Sequence, residues 1–121
     1  MQYVCLIYFD PKVVFNGSPE SNAMLAEVGA HDSGLRERGV MLGGLPLALP
    51  NEAMTVRVRD GKASATDGPF METREVLGGF IHIEARDLNE AVEIAAKIPF
   101  ARLGAVEVRP LPDFSKARPA L

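Results

Sequence analysis

Three side chains of this sequence are the main candidates for moving protons. Histidine titrates closest to physiological pH, and His31 and His82 are the two histidines of the chain. Asp67 opens the segment Asp67-Gly68-Pro69-Phe70, in which Gly68 can take a positive φ and the proline fixes the next φ. This segment predicts a sharp bend that holds a carboxylate. We therefore predict Asp67, His31 and His82 as catalytic residues for acid–base chemistry.

Each of these three residues also has a structural role open to it. Asp67 can bond its own backbone two residues on and serve only to form the turn. His31 falls on a helix stripe of Leu, Val and Met side chains, where a half-buried histidine bonded to a neighbouring carbonyl is an ordinary feature. His82 lies on a predicted strand and can be the cross-strand partner of a charged side chain. The sequence leaves both roles open.

A second group of residues is suited to holding a substrate. The planar guanidinium of Arg74 matches a carboxylate, with Arg102 and Arg109 as weaker candidates. Glu72 and Glu75 are close enough to Arg74 to form a surface ion-pair network instead, which contributes little stability. The predicted substrate-binding residues are Arg74, Tyr8, Phe70 and Glu72.

Metal and phosphate sites have no recognisable pattern in the sequence. Metal binding needs converging His, Cys or carboxylate ligands, and the two histidines are far apart in sequence. There is no G-x-G-x-x-G and no P-loop motif. Cys5, the single cysteine, is predicted to be a small buried apolar residue and not a nucleophile. We predict no metal and no cofactor.

The elements that must position these residues follow from apolar periodicity, caps and turns. A fully apolar strand opens the chain, Ser18 caps a helix that ends near Gly39, and Asp60-Gly61 marks a hairpin. A loop is expected over residues 10–17. Asp87 caps the second helix, whose expected apolar stripe is Leu88, Ala91, Val92, Ala95 and Ile98. The predicted strands are 2–9, 40–45, 54–59, 62–66, 77–85 and 105–111, and the tail from Pro112 is expected to be loose or docked on a partner.

Without the hairpin, the order of elements is β-α-β-β-α-β, which is the ferredoxin-like unit of the α+β class. The first strand is apolar on both sides, so both faces of the sheet must be covered. Helices cover one face, and a second subunit is a candidate cover for the other.

Length and composition bound the class of protein. A chain of 121 residues is predicted to be one domain. With 47% hydrophobic and 24% charged residues, the composition is that of an ordinary globular protein. The net charge of −3 and the lack of a basic block argue against a nucleic-acid partner. The first apolar run is too short to span a membrane. One cysteine fits a reducing compartment, so we predict a cytoplasmic location.

The chain resembles the DGPF-domain branch of the YCII-related (YciI-like) family. The resemblance rests on Asp67-Gly68-Pro69-Phe70, Glu72-Thr73-Arg74-Glu75 and Leu77-Gly78-Gly79-Phe80. It continues through Asp87-Leu88-Asn89-Glu90-Ala91, Ile98-Pro99 and Val106-Glu107-Val108-Arg109-Pro110, and Tyr3 to Tyr8 fits the opening strand of the family. The resemblance covers nearly the whole chain, which is expected to be a single YCII-related domain over 1–121 with a tail at 112–121.

The resemblance implies a homodimer in which two sheets pack face to face as a dimeric α+β barrel. It also implies a histidine–aspartate pair, which we do not transfer to this chain. The family aspartate precedes the proline after the second helix, where this sequence has Ile98, and the family histidine aligns near Glu27, one turn before His31.

Two kinds of function fit these observations. One is a small enzyme of the dimeric α+β barrel type that uses acid–base chemistry on a small enolic or aromatic metabolite. The alternative is a non-catalytic homodimer that binds a metabolite or serves regulation, since DGPF-domain proteins are often encoded near extracytoplasmic-function sigma factors. An enzyme should show a pocket with a histidine and a carboxylate in hydrogen-bond reach. A regulatory module should show an exposed apolar patch beyond the dimer contact.

Overall fold

The computed structural model describes residues 1–113 and 115–116, so most of the tail predicted after Pro112 lies outside the described residues. Short 3-10 turns occupy Pro50–Glu52 and Pro99–Arg102. The strands and helices are β1 (Gln2–Phe9), α1 (Pro11–Val14), α2 (Pro19–Glu37), β2 (Met41–Pro46), β3 (Met54–Arg59), β4 (Lys62–Asp67), β5 (Val76–Glu84), α3 (Leu88–Ala96) and β6 (Gly104–Pro110).

Four of the strands form one antiparallel sheet in the order β2-β5-β1-β6. Since β1 and β5 lie at the centre and α2 and α3 are the two crossover helices, this is the ferredoxin-like arrangement that the order of elements predicted. The predicted α+β fold is therefore confirmed, with the β3–β4 hairpin inserted between β2 and β5.

The core lies between the helices and one face of the sheet. Strand β1 alternates strictly, so that Tyr3, Cys5, Ile7 and Phe9 are buried while the residues between them are half-buried. Burial raises the pKa of the Cys5 thiol to about 11, because the charged thiolate loses its hydration there. The thiol is therefore neutral at physiological pH, as expected for a packing residue.

Helix α2 begins where its sequence indicates. Ser18 accepts a hydrogen bond from the Ser21 backbone N–H at 3.1 Å, and Pro19 occupies the first helical position. Gly39 follows the helix with a φ of 72°, which a residue with a Cβ rarely adopts. Met24 and Leu35 are buried against the sheet, so the helix is fixed along its length.

The β3–β4 hairpin is a separate two-stranded sheet. Its turn residues Asp60 and Gly61 have φ angles of 52° and 74°, as a two-residue hairpin turn requires. Met54, Val56 and Val58 share one face with Ala63 and Ala65, and all five are exposed. Because an isolated two-stranded hairpin is at best marginally stable in water, this apolar face needs a cover.

Two expectations about the elements were wrong. The predicted loop at 10–17 contains α1, because Asp10 caps it through the Lys12 N–H at 2.9 Å and Pro11 starts it, the same cap-and-proline pattern that starts α2. The buried stripe of α3 is narrower than predicted. Leu88 and Val92 are 51% and 50% exposed, because the helix turns only the stripe containing Ala91 and Ala95 toward the core.

Candidate active site between helix α2 and the sheet

A cavity of about 510 Å³ lies beside α2 at the β2 end of the sheet. Its walls come from Ile7 and Phe9 of β1, residues 44–49, residues 78–81 of β5 and residues 98–100. Most of these side chains are apolar. Pockets that bind small organic molecules have volumes of about 300–1,000 Å³ and similar apolar linings. The cavity therefore has the size and character of a small-molecule site.

One wall of the cavity is aromatic. The rings of Phe9 and Phe100 stack with centroids 5.0 Å apart and an interplanar angle of 20°. Phe15 meets Phe9 edge-on at 5.6 Å. All three phenylalanines line the cavity. Such a wall suits a flat ring, because offset-stacked and edge-on contacts are the favoured aromatic geometries.

Gly78 makes the position of the Phe9 ring possible. A Cβ at Gly78 would lie less than 3.0 Å from two atoms of that ring, Cε2 and Cζ. The ring can therefore lie directly against the backbone of β5 only because residue 78 has no side chain. This gives Gly78 a physical role in shaping the cavity.

A histidine–carboxylate pair lies beside the cavity. Val28, Asp32 and Arg36 line it at four-residue spacing, which places them on one face of α2. The Oδ1 atom of Asp32 is 3.0 Å from Nδ1 of His31, and the two side chains are 24% and 15% exposed. With a proton on Nδ1, the imidazole donates to the carboxylate. His31 is thus half-buried as predicted, but its partner is a carboxylate and not the carbonyl of the structural alternative.

Arg36 and Glu52 are the other ionisable side chains at the cavity. Within the part of the chain that is described, no ion pair joins either of them to another residue. One cation and two carboxylates, counting Asp32, therefore border an otherwise apolar space.

The residues around the predicted Asp67 turn lie on the surface. Gly68 has the expected positive φ of 102°, and Asp67 ends β4 with its side chain exposed. Phe70 is 67% exposed, with the Arg57 guanidinium 5.0 Å from its ring centroid. The Arg74 side chain is 86% exposed, and its Nε is 3.9 Å from Oδ2 of Asp10. This long contact replaces the ion-pair network expected with Glu72 and Glu75.

His82 and Tyr8 lie on the sheet face opposite the helices. His82 alternates with the buried residues Ile81 and Ile83, and its Nε2 is 2.9 Å from the Gln2 amide oxygen. Tyr8 is half-buried on the same face. The structure therefore does not bring Asp67, His31 and His82 together, and it separates Arg74, Phe70 and Glu72 from the cavity. Their roles in catalysis and binding stay predictions.

Sequence reasoning did not select Asp32, Arg36 and Glu52. The four-residue spacing of Val28, Asp32 and Arg36 was the available signal for the first two, since it places them on the helix face that includes Val28 of the apolar stripe. Glu52 had no comparable signal, because its position depends on how the segment after β2 folds back toward α2.

No group of three or more His, Cys, Asp or Glu side chains in residues 1–113 and 115–116 is arranged to hold a metal ion. In the same part of the chain, none of the helices has the length and hydropathy to cross a membrane.

The chain belongs to the YCII-related family, because the model of the YCII-related domain matches residues 1–115. The chain is also 35% identical over 115 residues to the uncharacterized protein R00369 of Rhizobium meliloti (strain 1021), covering 92% of each protein. Its structure is similar to that of 5-chloro-2-hydroxyhydroquinone dehydrochlorinase (TftG) from Burkholderia phenoliruptrix AC1100, solved in complex with 2,5-dihydroxybenzoquinone. The TM-score is 0.51 at 16% identity, and the match covers 93% of this chain and 94% of the other.

Proposed function

We propose that this protein is a small enzyme that transfers a proton to or from a small enolic or aromatic molecule bound in the α2 cavity. The observation that carries the proposal is the His31–Asp32 pair beside an apolar cavity with an aromatic wall. A histidine and a carboxylate in hydrogen-bond reach at a pocket are the parts that general acid–base catalysis requires.

In this mechanism Asp32 contacts the ligand, and His31 positions the carboxylate of Asp32. The carboxylate of Asp32 accepts a proton from an enolic hydroxyl or from a carbon next to a carbonyl group. The Nδ1–H of His31 donates to Oδ1 of the carboxylate and holds its orientation. A ligand that fills the cavity replaces water with apolar walls around the reacting atoms, which strengthens the electrostatic interactions at the site.

The similarity to TftG supports the class of ligand. That protein is a dehydrochlorinase of a hydroxyhydroquinone and was solved with a dihydroxybenzoquinone. These molecules are small, flat and carry acidic hydroxyl groups. At 16% identity the similarity establishes the fold alone, so the reaction of this chain must be tested directly.

We also propose that the active form is a cytoplasmic homodimer built as a dimeric α+β barrel. The sheet face opposite the helices carries Val4, Leu6, Tyr8 and Phe80, which remain half-buried and can receive a second sheet. The exposed apolar face of the β3–β4 hairpin needs a cover as well, and a second copy of the chain supplies one.

The alternative is a regulatory or metabolite-binding homodimer without turnover. A second apolar groove favours it, between α3 and β6, lined by Leu88, Val92, Val106 and Val108. Leu88 and Val92 are half exposed there, as expected for a surface that meets another protein.

Deuterium exchange separates turnover from binding alone. The wild-type protein should accelerate incorporation of deuterium from D₂O into the acidic C–H positions of cyclic 1,3-diketones or hydroxyquinones, followed by proton NMR. Asp32→Asn should lower the rate by about 10²–10⁴-fold, the usual contribution of a general base. Glu37→Gln removes an exposed carboxylate from the same helix and should leave the rate unchanged. Exchange by Asp32→Asn at the wild-type rate contradicts the mechanism, and binding without any exchange favours the alternative.

A further inference from the structure

We infer that the ligand of the α2 cavity is a planar organic anion, with its ionised group bound by Arg36 and a hydroxyl group at Asp32. This inference rests on the proposed function and narrows its substrate class to hydroxy-aromatic or enolic acids and their equivalents.

The first support is the state of the Arg36 guanidinium. Asp32 lies one turn before Arg36, at a spacing that favours an ion pair along a helix. The carboxylate of Asp32 is instead 3.0 Å from His31, and no described carboxylate lies within 4.0 Å of Arg36. Arg36 is exposed at the rim of the cavity and makes no direct ion pair with a described residue there, so its guanidinium is available to contact a ligand. A guanidinium in that position can bind a carboxylate through two parallel hydrogen bonds.

The second support is the distance between the two polar groups on α2. Residues four apart in a helix are separated by about 6 Å along its axis. The hydroxyl group at Asp32 and the anionic group at Arg36 must span a comparable distance. Substituents at opposite ends of one aromatic or enolic ring do so, and the more accessible Phe15 and Phe100 rings of the cavity wall offer aromatic surface for that ring.

The two carboxylates at the cavity fix the orientation. Asp32 and Glu52 repel an anionic group but accept a hydrogen bond from a hydroxyl. The cavity therefore disfavours a dianion and distinguishes the two ends of a hydroxy acid. A neutral molecule of the same shape lacks the contact with Arg36 and should bind more weakly.

Isothermal titration calorimetry with 4-hydroxybenzoate and its methyl ester tests this inference. Both probes have the same ring and hydroxyl group, and only the acid is charged at neutral pH. Wild-type protein should bind the acid at least about tenfold more tightly than the ester, as expected for a charge-assisted hydrogen bond. Arg36→Met should remove that preference. Arg36→Lys keeps the charge and should retain part of it, which guards against an effect of misfolding.

Arg38→Met is the matched control. It removes an arginine beside the same helix end that does not line the cavity, so it should leave the preference unchanged. Equal binding of acid and ester by the wild type overturns the anion assignment, and so does an acid preference that survives in Arg36→Met. In either case, binding of the ester shows that the cavity still takes a small aromatic ligand, so the proposed function stands. If neither probe binds the wild-type protein, the inference is overturned, and the result also counts against the proposed site.

Discussion

Replacing Gly78 by alanine is expected to destabilise the protein and to disturb the cavity. The new Cβ would lie less than 3.0 Å from two atoms of the Phe9 ring, so the ring has to move. Phe9 stacks on Phe100 and meets Phe15 edge-on, and both contacts change when it moves. A single methyl group therefore acts on the whole aromatic wall.

The size of the effect follows from these contacts. Overpacking costs about 1–3 kcal/mol, and each disturbed aromatic pair contributes about 0.5–1.5 kcal/mol. A Gly→Ala change also restricts the unfolded chain, which offsets about 0.4–1 kcal/mol of the loss. We therefore expect Gly78→Ala to lower the free energy of unfolding by about 1–6 kcal/mol.

Urea denaturation followed by circular dichroism measures this change, with Gly29→Ala as the control. A Cβ at Gly29 meets nothing within 4 Å, and the residue lies inside α2. That variant should stabilise the protein by up to about 1 kcal/mol, the difference in helix propensity.

The Phe9→Leu background provides the test of cause. If the overlap with the Phe9 ring is responsible, Gly78→Ala should lose most of its effect when residue 9 is leucine. Gly78→Ala at wild-type stability, or the same loss in both backgrounds, refutes the steric explanation.

Two further predictions concern the thiol and the dimer. The pKa of Cys5 is raised from 9.0 in the unfolded chain to about 11 in the folded protein, so its contribution to stability is present below pH 9.0 and is lost as the pH rises toward 11. The decline in melting temperature over that range should be smaller in Cys5→Val. If the apolar face of the hairpin is buried between subunits, Val56→Ser should raise the dimer dissociation constant by at least about tenfold, as measured by sedimentation equilibrium. Thr66→Ser, on the opposite face of the hairpin, should leave that constant unchanged. An unchanged dimer in Val56→Ser removes the hairpin from the interface.

The fold was predictable because its signals are local and agree with one another. The apolar run of β1, the Ser18-Pro19 helix start and the Asp60-Gly61 turn each determine the conformation of a few residues. Together they give the element order from which the sheet follows. Helix α1 was missed although Asp10-Pro11 has the same starting pattern as α2, because four residues are too few to show apolar periodicity.

The candidate site was less predictable because it depends on contacts between distant segments. His31 was selected as a candidate on the α2 stripe, whereas Asp32, which follows it directly and lies 3.0 Å from its Nδ1, was not selected. The aromatic wall joins Phe9, Phe15 and Phe100, whose rings meet only after β1, α1 and the 99–102 turn have packed. The Asp67 segment was selected for its distinctive sequence. In the structure Gly68 has a positive φ, so the glycine is explained by the bend of the chain at that point.

Small enolic or aromatic ligands should bind beside Asp32 and not at the Asp67 turn. A titration of ¹⁵N-labelled protein with 4-hydroxybenzoate, followed by amide chemical shifts, tests it most directly. The largest shifts are expected at Asp32, Arg36 and the Gly78-Gly79 pair, with little change in the hairpin. Shifts centred on Asp67 and Phe70, or on His82 of the opposite sheet face, would contradict the assignment of the site.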